Sequence, residues 1–277
     1  MSQRTTRTGL PGYVILGLLA LFALGPLVLF AFNSLKTRDE LAVNSFGPPS
    51  GLHWANFAEA WQEANMAAGL RNSVIVVLGT VVGVCVIAGL AAYALARMDL
   101  PHTGGIMLWL VVGGALPTQM FLVPLFFLWA KLNLYDSLFG LIVVYWALFA
   151  PFATLLLRSF LVGLPREYEE AARIDGASEL RILTRVVAPV AAPGFLTVAL
   201  VTGLSAYNEF LFAVTFIQDS DKMPVSTALF SFQQGFTQDY ALLSAAGLIM
   251  LLPMVLLFLF LQRRFIDGIA ASGLGGT

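Results

Sequence analysis

The chain has 277 residues, of which 58% are hydrophobic and 11% charged, and its mean hydropathy is +0.84. So few charges exclude an ordinary soluble domain, and a net charge of −1 gives no bulk attraction to nucleic acid. The single cysteine, Cys85, excludes an internal disulfide or a CxxC metal or redox pair; set in an apolar run, it reads as a small packing residue.

Six apolar runs, roughly 13–32, 72–96, 105–130, 138–161, 190–217 and 242–262, approach or exceed the ~20 residues that cross a bilayer core as a helix. Lipid offers backbone groups no partner, so these runs are helical, and no alternating barrel pattern competes. The expected fold is an all-α integral membrane protein with six transmembrane helices in one domain over residues 1–277. Arg4 and Arg7 precede the first run as in a signal peptide, but that run has the length of a full span and reads as a retained anchor. With both termini on the cytoplasmic side, ten Lys and Arg fall inside and five (Lys36, Arg38, Arg71, Lys131 and Lys222) outside, which decides the orientation.

The loop after the first span contains WANFAEAWQEA, where Trp54, Phe57, Ala58 and Trp61 recur at helical spacing. It is predicted to form a short amphipathic helix in the interface, serving as a docking surface or as an aromatic belt. In the third span Thr118 and Gln119 follow Pro117, and the fourth holds Tyr145 and Trp146.

Between the fourth and fifth spans lies the densest charge in the chain, EYEEAARIDGAS at 168–179. Leu164-Pro165 marks a helix start with acids in the first turn. Glu170 and Arg173 are i, i+3 neighbours, and the small Ala171 and Ala172 let another protein approach closely. Gly176 suits the left-handed end of that helix, and Ser178 the cap of a second. Leu180, Leu183 and Val187 are predicted to share a face of the second helix, which Pro189 ends. The whole segment, about 165–189, reads as a helix–turn–helix on the cytoplasmic face.

The fifth span carries Tyr207, Asn208 and Glu209. Glu209 faces a water-filled cavity or a partner helix, or is a structural acid; a bare carboxylate in lipid is costly. Aromatic faces beside amides and carboxylates suit a polyhydroxyl ligand, which makes Gln119, Tyr145, Tyr207, Asn208 and Glu209 candidates for a translocation path. The loop at about 218–241 is polar and Gly-bearing, and its Gln233, Gln234, Gly235, Phe236 and Thr237 are placed to reach a partner outside.

None of the three lysines follows a glycine, which excludes a P-loop, and HExxH and GxSxG are absent. His53 and His102 read as solvated loop residues. No catalytic residue, metal ligand or cofactor-binding residue is expected, and a self-sufficient secondary transporter would need intramembrane charge pairs or inverted repeats that are not seen.

EAARIDG resembles the EAA motif of permease subunits of bacterial ATP-binding-cassette importers. Glu170, Ala171, Ala172, Gly176 and Pro189 match in register, while Val186 and Ala188 replace Ile and Leu. NFAEAW, RNSVIVV, AAYALARMDLP, LPTQMFLVPLF, NLYDSLFGLI, PFATLLLRSFL and YNEFLFA are similar to the carbohydrate-uptake branch, the permeases like the second, six-span subunit of the maltose transporter. QRRFIDGIAASGLGG is similar to that subunit's tail, more loosely at Ser272 and Leu274.

The resemblance implies the ABC type I importer permease fold with a cytoplasmic coupling helix. Glu170, Ala171, Ala172, Arg173, Asp175 and Gly176 then contact a separate ATPase. It implies a second homologous permease, two ATPase subunits carrying ATP and magnesium, an extracytoplasmic solute-binding protein, a sugar substrate, and a multi-pass place in the bacterial cytoplasmic (inner) membrane. The binding protein would meet the region from about Gln233 to Tyr240. The EAA segment alone leaves open an importer for a non-sugar solute.

Overall fold

The computed structural model describes residues 10–232 and 239–273, except the side chains of 10, 11, 231 and 261–273. Among the described residues there is no strand. In chain order the helices are α1 Leu10–Asn33, α2 Arg38–Val43, α3 Ala55–Glu63, α4 Met66–Arg97, α5 Thr103–Ala115, α6 Leu122–Lys131, α7 Leu138–Val162, α8 Glu167–Ile174, α9 Glu179–Ile182, α10 Ala188–Val190, α11 Ala192–Asn208, α12 Leu211–Phe216, α13 Val225–Ser231 and α14 Tyr240–Gly273. A 3-10 turn, Thr118–Phe121, leads into α6, and a π turn, Leu183–Val187, joins α9 to α10.

Four stretches have the length and hydropathy of continuous spans: Gly12–Asn33, Met66–Arg97, Leu138–Val162 and Tyr240–Phe260. Two bent pairs bring the candidate spans to six. The third expected span is therefore not one helix: Thr103–Ala115 and Thr118–Lys131 meet at 89°. Pro117 lacks an N–H and pushes the residue before it out of the helical region, and Leu116 is extended, with φ −71° and ψ 139°. Near the start of the fifth, Glu179–Val190 and Ala192–Asn208 meet at 82°. That span breaks again at Glu209, which is extended at φ −68° and ψ 123°.

The described residues divide into two compact units, those within 1–66 and 228–252 and those within 67–227 and 253–277. In the first, α1 is apolar all round and exposes its side chains. Gly247 of α14 gives room to Phe30 of α1, whose ring a Cβ at that position would meet at 2.5 Å. The turn after α1 is fixed by buried polar groups. Lys36 Nζ donates to Asn33 Oδ1 at 3.0 Å and to the Asn44 carbonyl at 2.7 Å. Asn56 Nδ2 donates to the carbonyls of Ser34 and Lys36, each at 2.9 Å.

The amphipathic helix expected over WANFAEAWQEA is α3, but its packed face differs. Ala60 and Ala64 are buried, while Trp54 and Trp61 are 64% and 42% exposed. The small alanines permit close approach, and Asn56 holds the same side inward. The large rings are left outside, Trp54 leaning on Phe57 with centroids 5.8 Å apart.

In the second unit two apolar cores sit at opposite ends of the same long helices. One joins Val84 and Ala88 of α4 to Leu157 and Leu161 of α7, Ile182 and Val187 of the helix–turn–helix, and Val198 of α11. The other joins Val76, Trp129, Leu141, Tyr145, Ala206 and Phe216. Between them α4 and α7 approach through Gly79 and Gly83, a small-xxx-small spacing. Trp146 lies in the groove these glycines make, its Nε1 donating to the Gly79 carbonyl at 2.9 Å.

Half of the polar loop expected at 218–241 is packed rather than free. Asn72 Nδ2 donates to the Asp221 carbonyl at 2.8 Å, and the Val225 N–H donates to Ser73 Oγ at 2.9 Å. Asp136, left-handed at φ 53°, accepts the N–H groups of Gln218 and Asp219 at 2.9 and 3.0 Å, and Lys222 bonds it at 3.2 Å. Desolvation opposes the Asp136 carboxylate, but these donors outweigh it and hold its pKa below the ordinary value. The positions Gln233, Gln234, Gly235, Phe236 and Thr237 lie outside the described residues.

A Cβ at Gly83 would stand 2.0 Å from Trp146 Nε1. Gly83→Leu is therefore expected to destabilise the purified chain by about 1–3 kcal/mol, as overpacking does. Combining it with Trp146→Ala should recover part of the loss, and thermal unfolding of both variants in detergent measures it.

Candidate functional site

The charged segment folds as two short helices about a tight turn. α8 begins at Glu167 behind Arg166, two residues beyond the start expected at Pro165, with Glu167, Glu169 and Glu170 in its first turn. It ends in a Schellman turn. The Ala177 N–H reaches the Ala172 carbonyl and the Gly176 N–H that of Arg173, each at 3.0 Å, with Gly176 at φ +76°.

Ser178 stands in the cap position of α9, with its carbonyl accepting from Ile182 but its hydroxyl making no cap bond. Pro189 lacks an N–H and crowds the carbonyl four residues back. The chain ahead of it winds as a π turn, in which Ala188 N–H bonds the Leu183 carbonyl. The buried face also differs from the one expected: Ile182, Leu183 and Val187 are buried, whereas Leu180 is exposed.

A ring of charge fastens both arms to the end of α4. Arg97 Nε lies 2.7 Å from Glu169 Oε1, and both side chains are 3% exposed. The Nε–H does not aim along that contact, so this is an ion pair by proximity more than a directed hydrogen bond. Arg97 Nη2 also donates to the Leu164 carbonyl at 2.9 Å. Arg173 does not pair with Glu170, its neighbour in sequence. It forks onto Glu179, with Nε to Oε1 at 2.7 Å and Nη2 to Oε2 at 3.1 Å, and lies 3.7 Å from Glu169. The Tyr93 hydroxyl donates to Glu179 Oε2. Arg173, and then Tyr93, hold the Glu179 carboxyl down at about 2, and the same Glu179 bond raises the Arg173 guanidinium.

The six positions expected to face an ATPase thus divide. Glu170, Ala171, Asp175 and Gly176 are exposed and Ala172 is half-buried, but the Arg173 head group is committed to this ring. Beside the exposed ones stand Tyr168 and Ile174, the latter 87% exposed. Sequence reasoning missed Glu169, Arg97, Tyr93 and Glu179 as a group. The available signals were the i, i+4 spacing of Glu169 with Arg173 and an arginine at the end of an apolar run.

Among the translocation candidates, the structure joins two. Tyr145, buried on α7, donates its hydroxyl to Glu209 Oε2 at 2.7 Å. The same carboxylate accepts the N–H of Phe212 at 3.0 Å and of Ala213 at 3.1 Å, and so caps the start of α12. Tyr207 is buried, whereas Asn208 is exposed and bonded to the Leu204 carbonyl at 2.9 Å. Gln119 is exposed in the turn after Pro117 and takes no part in the bonds around Glu209.

The fold is that of an ABC importer permease. It aligns over 96% of this chain with 99% of a chain in the crystal structure of a bacterial ABC transporter involved in the import of the acidic polysaccharide alginate, with a TM-score of 0.81 and 21% identity. The chain belongs to the family described as binding-protein-dependent transport system inner membrane component, whose model matches residues 86–270.

Among curated relatives, it is 33% identical to the sulfoquinovosyl glycerol transport system permease protein SmoH of Agrobacterium fabrum, over 95% of this chain and 93% of that one. It is 32% identical to the diacetylchitobiose uptake system permease protein NgcG of Streptomyces coelicolor, over 93% and 86%. It is 29% identical to the arabinooligosaccharides transport system permease protein AraQ of Halalkalibacterium halodurans, over 96% and 95%.

Glu209→Leu removes the acceptor of one hydroxyl and two amides, and each buried donor left unpaired costs about 1–3 kcal/mol. It should lower the melting temperature more than Glu209→Gln, which keeps one oxygen, and differential scanning fluorimetry reads the order. For Glu179, whose carboxyl is held below the ordinary glutamate value at about 2, the stabilisation is present above the unfolded pKa and is lost as pH falls through the folded one. The melting-temperature advantage of the unmodified chain over Glu179→Gln should therefore hold at pH 6 and shrink on acidification below about 4.5.

Proposed function

We propose that this chain is the membrane-spanning permease of a binding-protein-dependent, ATP-driven importer of a carbohydrate. It works beside a second, homologous permease, with ATP and magnesium bound on two separate ATPase subunits. The observation that carries the reading is the helix–turn–helix at 167–190. It is polar, fastened to α4 by buried charge, and presents Tyr168, Ala171, Ile174 and Asp175 outward. Those exposed groups on a rigid mount suit a partner that must push on the bundle.

The excess of Lys and Arg favours placing this face and both termini in the cytoplasm, in the bacterial inner membrane. The relatives named for glycosides and oligosaccharides favour a sugar as solute. The loop including Gln233 to Thr237 then lies outside, where a solute-binding protein arrives. Transport is alternating access: ATP draws the two ATPases together, the docked segments move, and the bundle changes the side to which it opens. Each ligand shifts that equilibrium only by its differential affinity for the two states.

The test is uptake of a panel of labelled di- and trisaccharides by the complex reconstituted with its ATPases, partner permease and binding protein. Glu170→Lys and Gly176→Val are expected to abolish uptake with membrane insertion intact, and to retain less ATPase on affinity purification. Uptake by both variants at normal expression would refute the assignment. Deleting Gln234 to Thr237 should impair the stimulation of ATP hydrolysis by loaded binding protein more than it impairs assembly.

A further inference from the structure

The three ion-paired contacts of the helix–turn–helix differ in burial. Arg173 and Glu179 are 38% and 41% exposed, whereas Arg97 and Glu169 are both 3% exposed. A buried pair is a poor device for stability alone, because well-packed apolar side chains of similar volume often do as well or better. What it adds is direction. Arg97 grips two things at once, the Glu169 carboxylate on α8 and the Leu164 carbonyl at the exit from α7. Tyr93, one turn earlier on α4, reaches Glu179 on the other arm. Residues four apart share a helix face, so a single face of α4 holds both arms of the segment. A displacement of α8 therefore pulls on α4 and on the end of α7 together.

We propose that Arg97 and Glu169 are positioning residues through which motion of the helix–turn–helix reaches the spans, so that ATP hydrolysis is tied to solute movement by this pair. The inference rests on the functional reading above. It assigns to Glu169 a task distinct from that of the exposed Glu170: Glu170 faces the partner, and Glu169 faces α4. An ATPase docks and turns over whether or not the pair is intact, but its stroke is lost between α8 and α4 when the pair is broken.

The experiment uses the complete reconstituted complex in liposomes. It follows ATP hydrolysis and uptake of whichever labelled oligosaccharide of the panel the unmodified complex imports fastest. Arg97→Gln and Glu169→Gln are expected to keep the subunit composition and ATP hydrolysis while sugar moved per ATP falls severalfold. The apolar pair Arg97→Met with Glu169→Met fills the same space. It should melt as the unmodified complex does and remain uncoupled, which a purely structural role does not predict.

Unchanged uptake per ATP in the single variants would overturn the inference and leave the functional reading standing. So would restored coupling in the methionine pair, or loss of hydrolysis, uptake and assembly in equal proportion. An unmodified complex that hydrolyses ATP and imports no sugar of the panel would overturn the carbohydrate reading and the inference together.

Discussion

At the end of α4 two side chains, Tyr93 and Arg97, each take hold of one arm of a polar helix–turn–helix. Arg97 pairs with Glu169 inside the protein, Tyr93 bonds Glu179, and Arg173 bridges the two acids. The buried pair is one of three fastenings, and Tyr93 and Arg173 on Glu179 hold the two arms together beside it. The rest of the segment follows from that constraint. The Schellman turn at Gly176 brings the arms back together, and the π turn before Pro189 delivers the chain into the 82° bend at Ala191. Ile182, Leu183 and Val187 then face the core shared with α4, α7 and α11.

The long helices that receive this segment are packed by shape more than by polar bonds. Gly79 and Gly83 make a groove on α4 that the Trp146 indole occupies, and the indole N–H finds the Gly79 carbonyl. At the other end of the same helices a left-handed Asp136 gathers two backbone amides and Lys222. Buried Asn72 and Ser73 tie the following chain to the start of α4. Each end of this unit therefore has its own apolar core and its own polar fastening.

At the second of these ends the fifth span is interrupted, among the residues of that apolar core. α11 has 17 residues, about 25 Å at 1.5 Å per residue, and the chain then breaks at Glu209 and resumes as α12. Broken helices are tolerated at membrane depth when the freed backbone groups are satisfied within the protein. Here the Glu209 carboxylate supplies acceptors to Phe212 and Ala213 and holds the Tyr145 hydroxyl of α7, while Ser226 Oγ bonds the Glu209 carbonyl at 2.8 Å. A single acid thus ends one helix, starts the next and docks the joint on a third.

The sequence by itself determined where most of the apolar helices lie, that the chain is all-α, and that the turn at Gly176 is left-handed. These depend on local properties: a run of apolar residues, a missing Cβ, a proline without an N–H. Pro117 was equally plain in the sequence, but the 89° bend beside it was not, since a proline can kink a membrane helix or end it. Only the tertiary structure decided which charges pair. Arg173 had Glu169 and Glu170 within one turn, yet its guanidinium forks onto Glu179, six residues away across the turn. Glu169 rather than Glu170 is buried because Arg97 stands 72 residues earlier in the chain, at the end of a different helix. The inward face of α3, the packed half of the 218–241 loop and the Tyr145–Glu209 bond are of the same kind. Each is a choice among local options made by a partner distant in sequence, and periodicity carries no information about that partner.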